Sequence, residues 1–315
     1  MAEGVILVER QGQPTRAELI SARFHLTLRT QSALPSTAAS RMIASMRRTR
    51  AAATGRPALA MAALLLTGCT MWIDHFVFFP DRQVGPPPAG VEERFIVTED
   101  GQRLHAWYIP PRDGGPVLLW SHGNAGNIDS RRALLLALAG RGLGVLAYDY
   151  RGYGRSEGSP SERGVYLDAT AAFDDLVARG TDPATIACFG ESLGGAVSIE
   201  VATRRRCAAV IAVSTFTRLA DVARQHYGPL GSLAGDRFNS LARLSRVSAP
   251  VFIGHGDRDE IVPFELGERL FAAAPEPRRF FRIAGADHND ALGRPALLDA
   301  IAEFAREAVA RRRPG

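Results

Sequence analysis

The 315-residue sequence contains no lysine: its 38 basic residues are all arginine. Alongside abundant alanine and glycine, this absence reflects a coding bias and carries no functional weight. Cysteine is scarce too, with Cys69, Cys188 and Cys207 as the full set. Three such positions supply neither a paired framework nor a metal-ligand spacing, so a disulfide scaffold and a cysteine metal site are excluded. Cys188, in TIACFG, and Cys207, in RRRCAAVIAV, read as unpaired core positions. An excess of basic charge on the folded part is also missing. The formal net charge is +5, but residues 1–69 hold nine arginines against three glutamates, and the remainder holds 29 basic and 30 acidic residues. A near-neutral domain lacks the basic face that nucleic acid requires. No internal repeat or low-complexity tract interrupts residues 91–315. What remains is 46% hydrophobic with mean hydropathy near zero, enough to bury a sizeable core.

Residues 1–45 are rich in Ala, Ser, Thr and Arg without apolar periodicity, and the expectation there is a disordered extension, with a native start at Met42 or Met46. From residue 46 to 69 the text is that of a secretory signal: MRRTR is a basic n-region, and Ala58 to Leu66 an apolar h-region. Leu66-Thr67-Gly68-Cys69 then resembles the bacterial lipobox, which implies lipidation of Cys69 and a membrane-anchored lipoprotein of the cell envelope. Thr70 after the cysteine favours the outer membrane where one exists. The alternative is an inner-membrane signal anchor, since the uncharged run Pro57 to Ile73 is at the lower limit for crossing a bilayer about 30 Å thick. Either reading partners the protein with a membrane. Residues 70–90, with Pro86-Pro87-Pro88, read as a linker.

From residue 91 strands and helices alternate. GVEERFIVTED and LHAWYIP form two strands turning at Asp100-Gly101, and PVLLWSHG, LGVLAYDY, TIACFGE, AAVIAVS, APVFIGHG and FFRIAG are short apolar strands. Helices are expected at RRALLLALAGRG, from Leu167 to Ala178, from Ser192, at FELGERLFAAA and at the C-terminus. Repeated β-α units predict an α/β fold with a mostly parallel, doubly wound sheet and helices on both faces, which gathers active groups at the carboxyl ends of the strands. The rhythm lapses between Val213 and Ala249, where a small lid is expected at about 214–249.

Gly190-Glu191-Ser192-Leu193-Gly194 falls between a strand and a helix, the setting of a nucleophile elbow. Serine needs a base, and the base an orienting acid. His288 in GADHND and Asp259 in HGDRDEIVP stand at later strand ends, in the chain order Ser, Asp, His. Asp257 and Glu260 compete for the acid's role, with Asp257 better suited to a turn. His255 and His122 are expected to hold loops, and Asp287 and Asp290 to serve the surface. The oxyanion hole is assigned to the backbone N–H of Leu193 and of Asn124, the latter in the loop His122 to Asn127; Asn127 is expected to cap a helix. No metal ligand set is expected.

SHGNAGN, YDYRGYGRSEGSPSE, FGESLGGA, HGDRDEIVPF and GADHND, in this order, resemble the α/β-hydrolase subfamily that includes serine aminopeptidase-like hydrolases and membrane-associated acyl-protein depalmitoylases. The resemblance implies the α/β-hydrolase fold, ester, thioester or occasionally amide hydrolysis, and no cofactor. It also implies that Asp149 to Gly154 form a structural loop beside the site. The expectation is a serine hydrolase acting on a small-molecule or lipid-like acyl ester or thioester. The alternatives are a peptidase or amidase, a cofactor-free haloperoxidase-like activity on the same three residues, and a non-catalytic membrane-anchored envelope protein.

Overall fold

The computed structural model describes residues 74–311. The extension 1–45, the signal segment 46–69 and the lipidation expected at Cys69 lie outside the described residues. Among the described residues no helix is long and apolar enough to cross a membrane.

The strands are β1 (Phe79–Pro80), β2 (Glu92–Val97), β3 (Arg103–Ile109), β4 (Val117–Ser121), β5 (Ala125–Gly126), β6 (Gly144–Tyr148), β7 (Ile186–Glu191), β8 (Ala209–Val213), β9 (Val251–Gly256) and β10 (Arg278–Ile283). Eight of them form one sheet in the order β10-β9-β8-β7-β4-β6-β3-β2, antiparallel only where β3 meets β2 and β6. The apolar runs follow from the topology: β4, β6 and β8 are buried along their whole length, because helices cover both faces. Strand alternation sorts each side chain to one layer. Val117 and Leu119 point to the core shared with α2 (Glu162–Ala178), α3 (Leu193–Arg204) and α6 (Phe264–Ala273). Leu118 and Trp120 point to the core shared with α1 (Arg132–Gly140) and α7 (Pro295–Ala310). Each large aliphatic or aromatic side chain buried in this way contributes roughly 1.5–3 kcal/mol. The fold is that of the α/β-hydrolases.

Helix α2 begins earlier than its apolar pattern, at Glu162, because Ser161 caps it by accepting the Gly164 N–H at 3.1 Å. Gly164 belongs inside that helix, since a Cβ there would lie 2.5 Å from the Arg151 side chain that crosses it to reach Asp168. The stretch expected as a lid is an excursion between β8 and β9 made of α4 (Leu219–Tyr227), a 3-10 helix over Gly228–Ala234 and α5 (Ser240–Leu244).

Two expectations are corrected. Cys188 on β7 and Cys207 before β8 form a disulfide, with Cα atoms 5.9 Å apart. Apolar neighbours signal burial but not pairing. The β7-α3-β8 crossover returns the chain beside its own strand, where Ala208 N–H meets the Ile186 carbonyl at 2.6 Å, and this brings the thiols together. Nor is the segment from residue 74 to 85 a free linker. Val77 and Phe78 are buried, and β1 pairs in parallel with β5.

Candidate active site

Ser192 sits where β7 turns into α3, at φ 52° and ψ −119°. A left-handed serine costs about 1–3 kcal/mol and persists only when its surroundings impose it. Here the flanking glycines permit it by their smallness. A Cβ on Gly190 would lie 2.0 Å from the Gly194 carbonyl oxygen, and one on Gly194 1.9 Å from that of Ser121. The turn is further fixed by Ser192 N–H to the Val213 carbonyl at 2.9 Å and by the Thr215 hydroxyl to the Ser192 carbonyl at 2.7 Å.

Three strand ends converge on this serine. His288, in the loop after β10, places Nε2 3.0 Å from Ser192 Oγ and Nδ1 2.8 Å from Asp259 Oδ2. Asp259 follows β9, and its Oδ1 accepts the N–H groups of Ile261 and Val262 at 3.0 and 2.8 Å. Burial pushes the Asp259 carboxyl up, but hydrogen bonds from His255 and His288, the His288 charge and the Val262 amide together hold it well below the usual carboxylate range. An ionised Asp259 therefore fixes the tautomer of His288 with Nε2 free to take a proton from serine. The rivals have other work. Asp257 accepts Gly285 N–H and pairs with Arg282, and Asp287 and Asp290 accept amides that shape the turn carrying His288. His255 Nε2 meets the Val262 carbonyl at 2.9 Å, and His122 Nδ1 the Gly123 carbonyl at 2.7 Å.

Leu193 is the first residue of α3, so its N–H has no acceptor within the helix and lies beside Ser192. Asn124 lies in the loop after β4, and this loop is held from three sides. From the N-terminal segment, Phe79 N–H donates to the Asn124 carbonyl at 2.9 Å, Asn124 Nδ2 donates to the Val77 carbonyl at 3.0 Å, and Asp81 N–H donates to Gly126 at 3.2 Å. From the Asp149–Gly154 loop, the Tyr153 hydroxyl donates to the Asn124 carbonyl at 2.6 Å and that of Tyr150 to the His122 carbonyl at 2.8 Å. From the elbow itself, Glu191 Oε1 accepts Gly123 N–H at 3.1 Å and pairs with Arg131, whose Nη1 donates to the Ala125 and Asn127 carbonyls. Burial raises the Glu191 carboxyl, and the Arg131 charge and hydrogen bond, the Gly123 amide and the His288 charge together hold it below the usual carboxylate range. Asn127 caps as expected, its Oδ1 accepting from Asp129 and Ser130.

Sequence reasoning singled out the residues at the centre and missed most of this brace. Glu191 occupies the unspecified position of the elbow motif, and Arg131 reads as one more helix-flanking arginine. Val77 to Asp81 form too short a bridge for strand alternation to show. Among the described residues no group of His, Cys, Asp and Glu is arranged to hold a metal ion.

The family model described as "Serine aminopeptidase, S33" matches residues 115–242. The chain is 43% identical over 267 residues to the uncharacterized protein Rv2307c of Mycobacterium tuberculosis, a match covering 80% of this chain and 95% of that one. In structure it is similar to a Pyrococcus furiosus esterase, with TM-score 0.61 and 21% identity over 74% of this chain and 98% of the other. It is also similar to a Mycobacterium tuberculosis puromycin-hydrolyzing peptidase, with TM-score 0.59 and 23% identity over 72% of this chain and 41% of the peptidase.

Proposed function

Because the chain belongs to the α/β-hydrolase superfamily, in its serine aminopeptidase-like subfamily, we propose that it hydrolyses carboxylic esters or thioesters through a covalent acyl-enzyme. Ser192 Oγ attacks the acyl carbonyl as its proton passes to His288 Nε2, and Asp259 stabilises the imidazolium. The N–H groups of Leu193 and Asn124 hold the oxyanion, an interaction worth about 10² to 10³ in rate per donor. The intermediate collapses as His288 returns the proton to the leaving oxygen or sulfur. Water, deprotonated by the same ring, then attacks the acyl-serine and frees the acid.

The observation that carries this reading is the unbroken hydrogen-bond chain from Ser192 Oγ through His288 to Asp259, at 3.0 and 2.8 Å. A strained elbow and three complete side chains are more than a binding module needs. The matched family model favours a second reading, a peptidase releasing N-terminal residues. Such an enzyme wants a carboxylate for the substrate's ammonium group, and Glu191, the acid next to Ser192, is already neutralised by Arg131. That weighs toward the ester.

The test is a panel of p-nitrophenyl acyl esters, thioesters and aminoacyl amides, run beside fluorophosphonate labelling of wild type and Ser192→Ala. Esters or thioesters should turn over fastest and the variant should not label. Equal labelling overturns the enzyme reading, and amide turnover far above ester turnover moves the assignment to the peptidase.

The protein's proposed place is the cell envelope, tethered through Cys69 or the apolar run before it. The buried Cys188–Cys207 disulfide supports an oxidising compartment. Lipid labelling lost in Cys69→Ala supports lipidation; unchanged labelling refutes it.

A further inference from the structure

The excursion between β8 and β9 ends in an unusual tip. Leu233, at 74% exposure, is the most exposed large apolar side chain among the described residues, and Leu230 is 66% exposed. A 3-10 helix has three residues per turn, so positions 230 and 233 of Gly228–Ala234 share one edge. The opposite edge is sealed: Gly231 is buried, and a Cβ there would lie 2.2 Å from the Ala223 backbone of α4. With Gly231 set against α4, both leucines face outward.

Charge is absent where solvent exposure should bring it. Residues 225 to 235 hold no arginine, aspartate or glutamate in a chain that is 23% charged. At the tip's shoulder Arg218 and Arg224 share the carboxylate of Asp221, and Asp236 also acts on Arg218, so the charges there balance and the edge itself stays uncharged. An exposed apolar edge with balanced charge at its shoulder fits the boundary between the acyl and headgroup layers of a bilayer.

The chain itself indicates what lies opposite. The uncharged run Pro57 to Ile73 ends at Asp74. Asp74 is ion-paired to Arg237, three residues beyond the tip's 3-10 helix, and the ring of Phe78 packs on that of Phe238 at 6.2 Å. From Cys69 to Asp74 an extended chain reaches at most about 18 Å. A bilayer that receives a lipid on Cys69 is thereby held within about 18 Å of Asp74, the residue paired to Arg237 at the excursion.

We propose that Leu230 and Leu233 dock into the surface of a phospholipid bilayer, as a second membrane contact beside the N-terminal tether. This rests on the tethered reading given above. The excursion also abuts the active site, since His226 Nε2 meets the Ile261 carbonyl at 2.8 Å, two residues from Asp259. Docking thus turns one wall of the site toward lipid, where an acyl substrate resides.

The test uses the full chain reconstituted in phosphatidylcholine–phosphatidylglycerol vesicles whose acyl chains are brominated, with Leu233→Trp and Leu230→Trp compared against wild type. Trp107 and Trp120 are buried, so Trp72, near the end of the uncharged run, reports the tether in every sample. Each new tryptophan should lose about half or more of its added emission, as a side chain below the headgroups does. Leu136→Trp, at an exposed position of α1, the helix packed on the sheet's other face, should lose none. If Trp72 is quenched and the position-230 and 233 probes are not, the docking is wrong and the tether stands. Quenching of neither removes both readings, and equal quenching of the position-136 probe shows unspecific adsorption and overturns the docking. A blue shift that appears only with rising protein concentration assigns the leucines to a second copy and also overturns it.

Discussion

Replacing both Cys188 and Cys207 by alanine should destabilise the domain by an amount set by the loop they close. The bond joins residues 19 apart in sequence, and that loop contains Ser192 and the whole of α3. In the chain-entropy account, a 19-residue closure withholds about 11 cal/mol/K from the unfolded ensemble, which is about 3 kcal/mol at 25 °C. For a domain of this size each kcal/mol moves the midpoint by roughly 2–4 °C, so thermal unfolding of the double variant should shift down by about 6–12 °C. Both positions are fully buried, so the lost sulfur atoms add to the effect rather than offset it. The assay is differential scanning of wild type and variant without reductant, with thiol titration of the denatured wild type by mass spectrometry. An unchanged midpoint, or two free thiols on wild type isolated from an oxidising compartment, refutes the reasoning.

Arg131→Ala should lower kcat by roughly 10- to 100-fold, less than outright loss of an oxyanion donor, because the Ala125 and Asn127 carbonyls lose their donor and Glu191 its counter-charge. Steady-state kinetics on a p-nitrophenyl ester should show this with little change in KM; a pure KM effect would contradict the assigned role. Asn124→Ala keeps its backbone N–H but loses the bond to the Val77 carbonyl, so a fall of about tenfold in kcat is expected from misplacement alone, measured in the same assay. Asp259 has a depressed folded pKa, so its contribution to stability is present above the unfolded value of about 4 and is lost as pH falls toward the folded one. Urea unfolding of wild type and Asp259→Asn should therefore give a gap that narrows as pH drops below about 4; a gap that widens reverses the sign and the argument.

The central side chains were legible because each follows a strand end that composition marks clearly. FGESLGG shows its own steric logic, and the order of Ser192, Asp259 and His288 survives without any coordinates. Legibility fails where a partner is chosen in three dimensions. Nothing in TIACFG or RRRCAAV tells a buried thiol from a bonded one; the crossover decides. Arg131 and Glu191 lie 60 residues apart, and each is the unremarkable member of its own local pattern. The apolar pattern marks α2 only from Leu167, whereas its first turn holds Gly164, whose lack of a side chain admits Arg151.

The pairing of Phe79–Pro80 with Ala125–Gly126 has a mechanical consequence. Residues 77 to 81 grip the loop of Asn124 directly, with Asp74 just upstream pinned to Arg237. Tension arriving from the N-terminal side is taken up first at Arg237, and only beyond that anchor does it reach the backbone that orients Asn124. A chain trimmed to begin at residue 91, where strand alternation starts, keeps all eight strands of the main sheet and sheds this brace. Such a trimmed domain would keep its core apart from Val77 and Phe78, while its oxyanion loop is left to Tyr150, Tyr153, Glu191 and Arg131. Low turnover in a shortened domain would then report a slackened loop rather than the wrong substrate.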